Sequence, residues 1–79
     1  MQRSELKTIV VEALKAHNGK AHLTQVAKYI WENYADELAK SGPLAYTWQY
    51  DIRWAATGLR KDGVLAEPDD NKGVWSLLV

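Results

Sequence analysis

The 79-residue chain has no cysteine, no phenylalanine, one methionine and only two prolines, and neither sign of charge is in excess. Without thiols, disulfides, thiolate metal sites and cysteine nucleophiles are excluded, and the composition fits a reducing compartment. No apolar run approaches the roughly 18 residues of a membrane span, and no basic-then-apolar leader opens the chain. The expectation is a soluble, cytoplasmic protein. Ten basic side chains balance ten acidic ones, which argues against a protein that coats nucleic acid by bulk attraction, because non-specific binding is mostly phosphate neutralisation by Lys and Arg. Internal repeats, low-complexity tracts and linkers are also absent.

What the chain does have is apolar surface. Apolar residues make up 47% of it, and four Trp and four Tyr stand in for the missing Phe. Each such ring buries about 150–250 Å², so a few of them can complete the core of one small domain spanning residues 1–79. Leu6, Ile9, Val10, Ala13 and Leu14 keep a helical rhythm from about Ser4, a candidate N-cap, to His17, and Asn18-Gly19 supplies a stop that tolerates positive φ. Lys20 to Leu23 is too short for a helix and reads as a brief extended segment. Thr24 is the expected cap of a second helix carrying Val26, Ala27, Ile30, Trp31 and Tyr34, which fades towards Ala39. Ser41-Gly42-Pro43 breaks the chain. Thr47 is the expected cap of a third helix, about Thr47 to Asp62, which Asp62-Gly63 ends. Val64 to Glu67 and Val74 to Leu78 flank a polar connection that reads as a β-hairpin.

The third helix has two unlike faces. Trp48, Ile52, Ala55 and Leu59 recur at i, i+4, i+7 and i+11 and belong in a core. Tyr50, Arg53, Trp54, Thr57 and Lys61 fall on the other side, where a merely solvated surface has no use for so many large groups. Helix, short strand, helix, helix and hairpin is the order of an α+β winged helix-turn-helix, with a C-terminal two-stranded wing and a short extra strand near Lys20-Leu23. A plain three-helix bundle with a loose tail and an unrelated α+β miniature are the alternatives. The bundle would waste Trp75 and Leu77.

The run Ile52-Arg53-Trp54-Ala55-Ala56-Thr57-Gly58-Leu59-Arg60-Lys61-Asp62-Gly63-Val64-Leu65, closed by Lys72-Gly73-Val74-Trp75-Ser76-Leu77, resembles the N-terminal winged-helix domain of Mrr-like restriction proteins. The resemblance covers nearly the whole chain, including the Ala-Leu helix end and the Gly-containing turn near the start. It implies a DNA-recognition module of a kind found fused to a nuclease. The chain has no nuclease half, so no cleavage carries over, and its acidic wing (Glu67, Asp69, Asp70) departs from a phosphate-binding one.

From the residues, the preferred expectation is a double-stranded DNA-binding module with the third helix in the major groove. It would serve a small regulator, or the recognition part of a restriction-like, modified-DNA-reading or phage-related system. Arg53 would reach a guanine edge or a phosphate, and Trp54 a base or sugar, unless Trp54 packs against the wing or the second helix. Tyr50 is a phosphate donor or a spectator, and Thr57 is small enough to let a groove approach. Thr47 and Gln49, expected in the first turn, would meet a phosphate there. Lys61 is a further candidate DNA contact, although Arg60 and Lys61 complement the helix dipole in any case, and Lys72, expected at the wing tip, would reach a phosphate or merely offset Asp69 and Asp70. The alternative is a protein–protein module docking through Tyr50 and Trp54, with a homodimer as one form. His17 and His22 lack the three or four convergent ligands of a zinc site. Ser4-x-x-Lys7 matches a penicillin-binding motif in spelling only, and Glu32, Asp36 and Glu37 read as a solvated acidic patch. No cofactor, membrane, small-molecule substrate or catalytic activity is expected.

Overall fold

The periodic apolar residues of the first segment close one face of α1 (Glu5–Ala16), on which Leu6, Ile9, Val10, Ala13 and Leu14 are all buried. The computed structural model describes residues 2, 4–66 and 73–78. Ser4 adopts helical angles and makes no side-chain cap bond, so it stands at the N-terminus without capping it. At the other end Asn18 (φ 61°) and Gly19 (φ 90°) turn the chain through the left-handed region. The Gly19 amide bonds back to the Leu14 carbonyl at 2.7 Å, which satisfies an orphan carbonyl at the helix end.

That turn leads straight into β1 (Lys20–His22). The second helix, α2 (Leu23–Ala39), begins at once, and its cap is His22 rather than Thr24. The His22 Nδ1 accepts from the Thr24 amide at 3.1 Å, and the His22 amide donates to Gln25 Oε1 at 2.9 Å. Thr24 lies two residues too deep to cap, because the strand ends where the helix begins. Val26, Ile30 and Leu38 are buried in the core, Ala27 and Tyr34 are half-buried, and Trp31 is 54% exposed.

The third helix, α3 (Leu44–Lys61), starts three residues earlier than Thr47 and ends at Lys61. Gly42 (φ 64°) turns the chain, and Pro43 (φ −57°) enters with the angle a helix needs. The Ala45 and Tyr46 amides bond back to the Gly42 and Pro43 carbonyls at 3.0 Å each. Thr47 is therefore inside the helix, not its cap. Trp48, Ile52, Ala55 and Leu59 are buried as their spacing predicts, along with Ala56.

The last strand, β2 (Val74–Ser76), pairs antiparallel with β1 and sets Lys20 opposite Ser76, Ala21 opposite Trp75 and His22 opposite Val74. Ala21 and Trp75 are both buried, so this face of the sheet closes the core beneath the helices. The expected partner of β2 was the Val64 to Glu67 arm; among the described residues it meets the last segment antiparallel at one bridge, Leu65 with Leu77, flanked by bonds from the Ala66 amide to Ser76 O at 2.8 Å and from the Leu78 amide to Val64 O at 2.9 Å. The arm leaves the helix directly: the Val64 and Leu65 amides donate to the Leu59 carbonyl at the end of α3, at 2.9 and 3.3 Å. The connection with Glu67, Asp69, Asp70 and Lys72 lies outside the described residues. Among the described residues the fold is a small α+β unit of three helices and a two-stranded antiparallel sheet.

Candidate nucleic-acid interface

The core stripe of α3 fixes what its other faces present. Successive helical residues are about 100° apart, so with Trp48 and Ile52 turned inward, Tyr46, Tyr50, Arg53 and Thr57 point away from the core. Tyr46 is 91% exposed and Tyr50 60%, and Arg53 and Lys61 are exposed as well. The Tyr50 and Trp54 rings meet edge to face, with centroids 6.0 Å apart. Tyr46, Tyr50 and Trp54 thus form a row at i, i+4 and i+8, about 6 Å per step along the helix.

Arg53 and Trp54 are neighbours in sequence but not in direction. Trp54, 51% exposed, leans to the flank that meets α1, where it lines a shallow pocket with Ser4, Lys7, Asp51 and Ala55. Arg53 turns towards the opposite flank, that of Gln49. The expected pair is therefore split across the helix, with Tyr50 between its halves.

Thr47 and Gln49 separate in the same way. The Thr47 hydroxyl donates to Asp51 Oδ2 at 2.7 Å, so it serves a carboxylate that is only 7% exposed. Gln49 lies on the flank facing α2, beside Ala45, Lys28 and Trp31. Neither is in the first turn, and the first amides of α3 already have backbone partners. The anion-binding role assigned to that position has no free donors at Ala45 or Tyr46. Thr57, half-buried, donates its hydroxyl to the Arg53 carbonyl at 3.2 Å. Lys61 sits in the last turn of the helix. Lys72 lies outside the described residues.

Asp51 is the one acid in α3, and in a simple count it offsets one of the bases Arg53, Arg60 and Lys61 of the same helix. Its burial removes it from the outer face, so the exposed side of α3 carries Arg53 and Lys61 and no carboxylate. The next acid along the chain, Asp62, pairs with Lys7 at 3.3 Å. Tyr46 was the missed member of the row: a helix read from Thr47 leaves it in a loop, whereas a start at Leu44 puts it in line with Tyr50 and Trp54.

Elsewhere the polar groups have structural tasks. The His17 Nδ1 lies 2.9 Å from the Ala13 carbonyl and His22 caps α2. Among the described residues no three His, Asp or Glu side chains converge to hold a metal ion, and no helix is long and apolar enough to cross a membrane. On the side of α2 facing α1, the Tyr34 hydroxyl donates to Glu12 Oε2 at 2.5 Å. This bond, reinforced by desolvation and the Glu12 charge, raises the Tyr34 pKa from 10.0 to about 12. Comparison with protein-family models, curated proteins and solved structures gives no match.

Proposed function

We propose that the chain is a winged helix that binds double-stranded DNA through the outer face of α3. The observation that carries this reading is the sorting of charge on α3: its acid is buried against Thr47, while Arg53 and Lys61 remain exposed beside Tyr50. A helix with one core face and an acid-free, basic and aromatic outer face is suited to the major groove, which is about 12 Å wide and admits one helix. Arg53 supplies the bidentate fork for a guanine edge or a phosphate, and Tyr50 a phenolic donor within one turn of it. The Leu65 arm bridged to Leu77 beside β2 would form the base of the wing. In an Mrr-like setting the module would address a restriction-like or regulatory activity carried by another domain.

A second reading is favoured by one observation, the exposed row Tyr46, Tyr50 and Trp54 on a chain of zero net charge. Large exposed aromatics are common anchors of protein interfaces. Fluorescence anisotropy on duplex DNA at about 50 and 200 mM salt separates the two. DNA binding through phosphates weakens steeply with salt, whereas aromatic docking to a protein does so little. Absence of duplex binding at the lower salt, with the protein folded, would sink the DNA reading and favour the interaction module.

A further inference from the structure

Trp31 is the one large hydrophobic residue of α2 left exposed by the core. Its ring lies nearly parallel to that of Trp48, 9° between planes and 6.1 Å between centroids. Trp48 is buried, whereas Trp31 is half-exposed, so an inner ring anchors an outer one at the surface. Beside the pair runs a groove of about 550 Å³, walled by Thr24, Ala27 and Lys28 of α2 and by Ala45 and Gln49 of α3. Ala27 and Ala45 are the small residues that leave it open. Gln49 offers an amide with two donors and one acceptor, and Lys28 a cation held only loosely, 3.9 Å from Glu32. A stacking face, an amide for a polar ring edge and a cation for an attached phosphate are together the complement of a nucleobase carrying its phosphate. The volume is in the range of small-ligand sites, about 300–1,000 Å³.

The groove's position adds to this. Gln49 and Arg53 are i, i+4 neighbours, so the groove opens alongside the outer face of α3. We infer that the Trp31 groove holds one unpaired nucleobase of a DNA strand lying along that face. The inference rests on the DNA reading above for the source of the base, and on the groove alone for its chemistry. An unpaired base costs least to insert, because it has no partner to leave and little stacking to lose. Stacking on an aromatic ring is worth about five- to 150-fold in affinity.

Anisotropy with a fully paired duplex and with the same duplex carrying a single-base bulge tests the inference, alongside Trp fluorescence titration with the four deoxynucleoside monophosphates. The folded protein should prefer the bulged duplex by about tenfold. Trp31→Ala should abolish the preference while leaving paired-duplex affinity and the circular dichroism spectrum unchanged. Ala45→Leu, which fills the groove and keeps Trp31, should abolish it too, and decides the matter if Trp31→Ala does not fold. Equal wild-type affinity for both duplexes, with no response to the monophosphates, overturns the inference and leaves the DNA reading intact. A preference that survives both substitutions overturns it as well. Trp31-dependent binding of the bulged probe or the monophosphates without paired-duplex binding overturns the duplex reading and keeps the groove. Monophosphate binding without a bulge preference keeps the nucleobase site and overturns the strand as its source.

Discussion

At the scale of single residues, the same side-chain type does different work according to the face it stands on. Thr47 and Thr57 are both threonines of α3, ten positions apart. One hydroxyl steadies the buried Asp51 and the other returns to its own helix backbone. Arg53 has no such partner among the described hydrogen bonds and faces outward, which makes it the sharpest probe of the interface. Arg53→Ala should leave the melting temperature unchanged and weaken specific DNA binding by about 1–3 kcal/mol if it reads a base. If it touches only phosphate, affinity should fall alike for all sequences and the salt slope should shrink by about one. Unchanged affinity would remove Arg53 from the site. Tyr34 carries a different prediction. Its folded pKa is raised from 10.0 to about 12 by the bond to Glu12, so the native state holds the phenolic proton more tightly than the unfolded chain does. The stabilisation is complete below pH 10 and is lost as pH rises towards 12. Denaturant titrations across that window should show a fall in wild type that is shallower in Tyr34→Phe.

At the scale of elements, the three helices were legible because each buries a stripe of period 3.6, and burial of Leu6, Val10, Leu14, Trp48, Ile52, Leu59 and Trp75 followed from spacing alone. Trp75→Ala should cost about 3–5 kcal/mol, and a variant that melts like wild type would refute its place in the core. Helix starts were much less legible. Thr24 and Thr47 have the side chains of caps, but the caps are a histidine that ends a strand and a proline that follows a left-handed glycine. The sheet was half legible, since the pairing of β2 with β1 joins residues more than fifty positions apart and no local pattern announces it. Gly73 ties these two hidden features together. It has φ +81°, and a Cβ there would lie 2.8 Å from His22 Nε2, while its carbonyl accepts the Leu23 amide at 2.6 Å. The His22 ring is held by its cap bond and does not swing away freely. Gly73→Ala should therefore destabilise by the left-handed strain, about 1–2 kcal/mol, plus part of a helix cap, about 1 kcal/mol. His22→Asp supplies a smaller cap of comparable strength and should recover the second part only. Equal loss in the single and double variants by thermal melting would show that the ring and the glycine are not coupled.

At the scale of the whole molecule, zero net charge limits what any DNA-binding face can do. The residues that would touch DNA are legible as a helix face, but the strength of binding is not, because it depends on which acids are buried. Asp51 shows the point: counted in sequence it dilutes the charge of α3, and folded it does not. Arg53, Lys61 and one further cation such as Lys28 would give about three phosphate contacts. The logarithm of the binding constant should then fall against the logarithm of salt with a slope of about −2.7, which is roughly a 40-fold loss between 50 and 200 mM. A protein with so few contacts binds weakly as a monomer, and tight binding needs a second copy or a fused partner domain to multiply them. If two copies act together, a probe with two half-sites about 10 base pairs apart sets both α3 helices on one face of the duplex. Binding to it should be tighter per site than to a single half-site, with a salt slope near −5.4. A probe with the half-sites about 5 base pairs apart puts the helices on opposite faces and should show no such gain. Equal per-site affinity on all three probes would mean that copies bind independently, leaving a fused domain as the remaining source of tight binding.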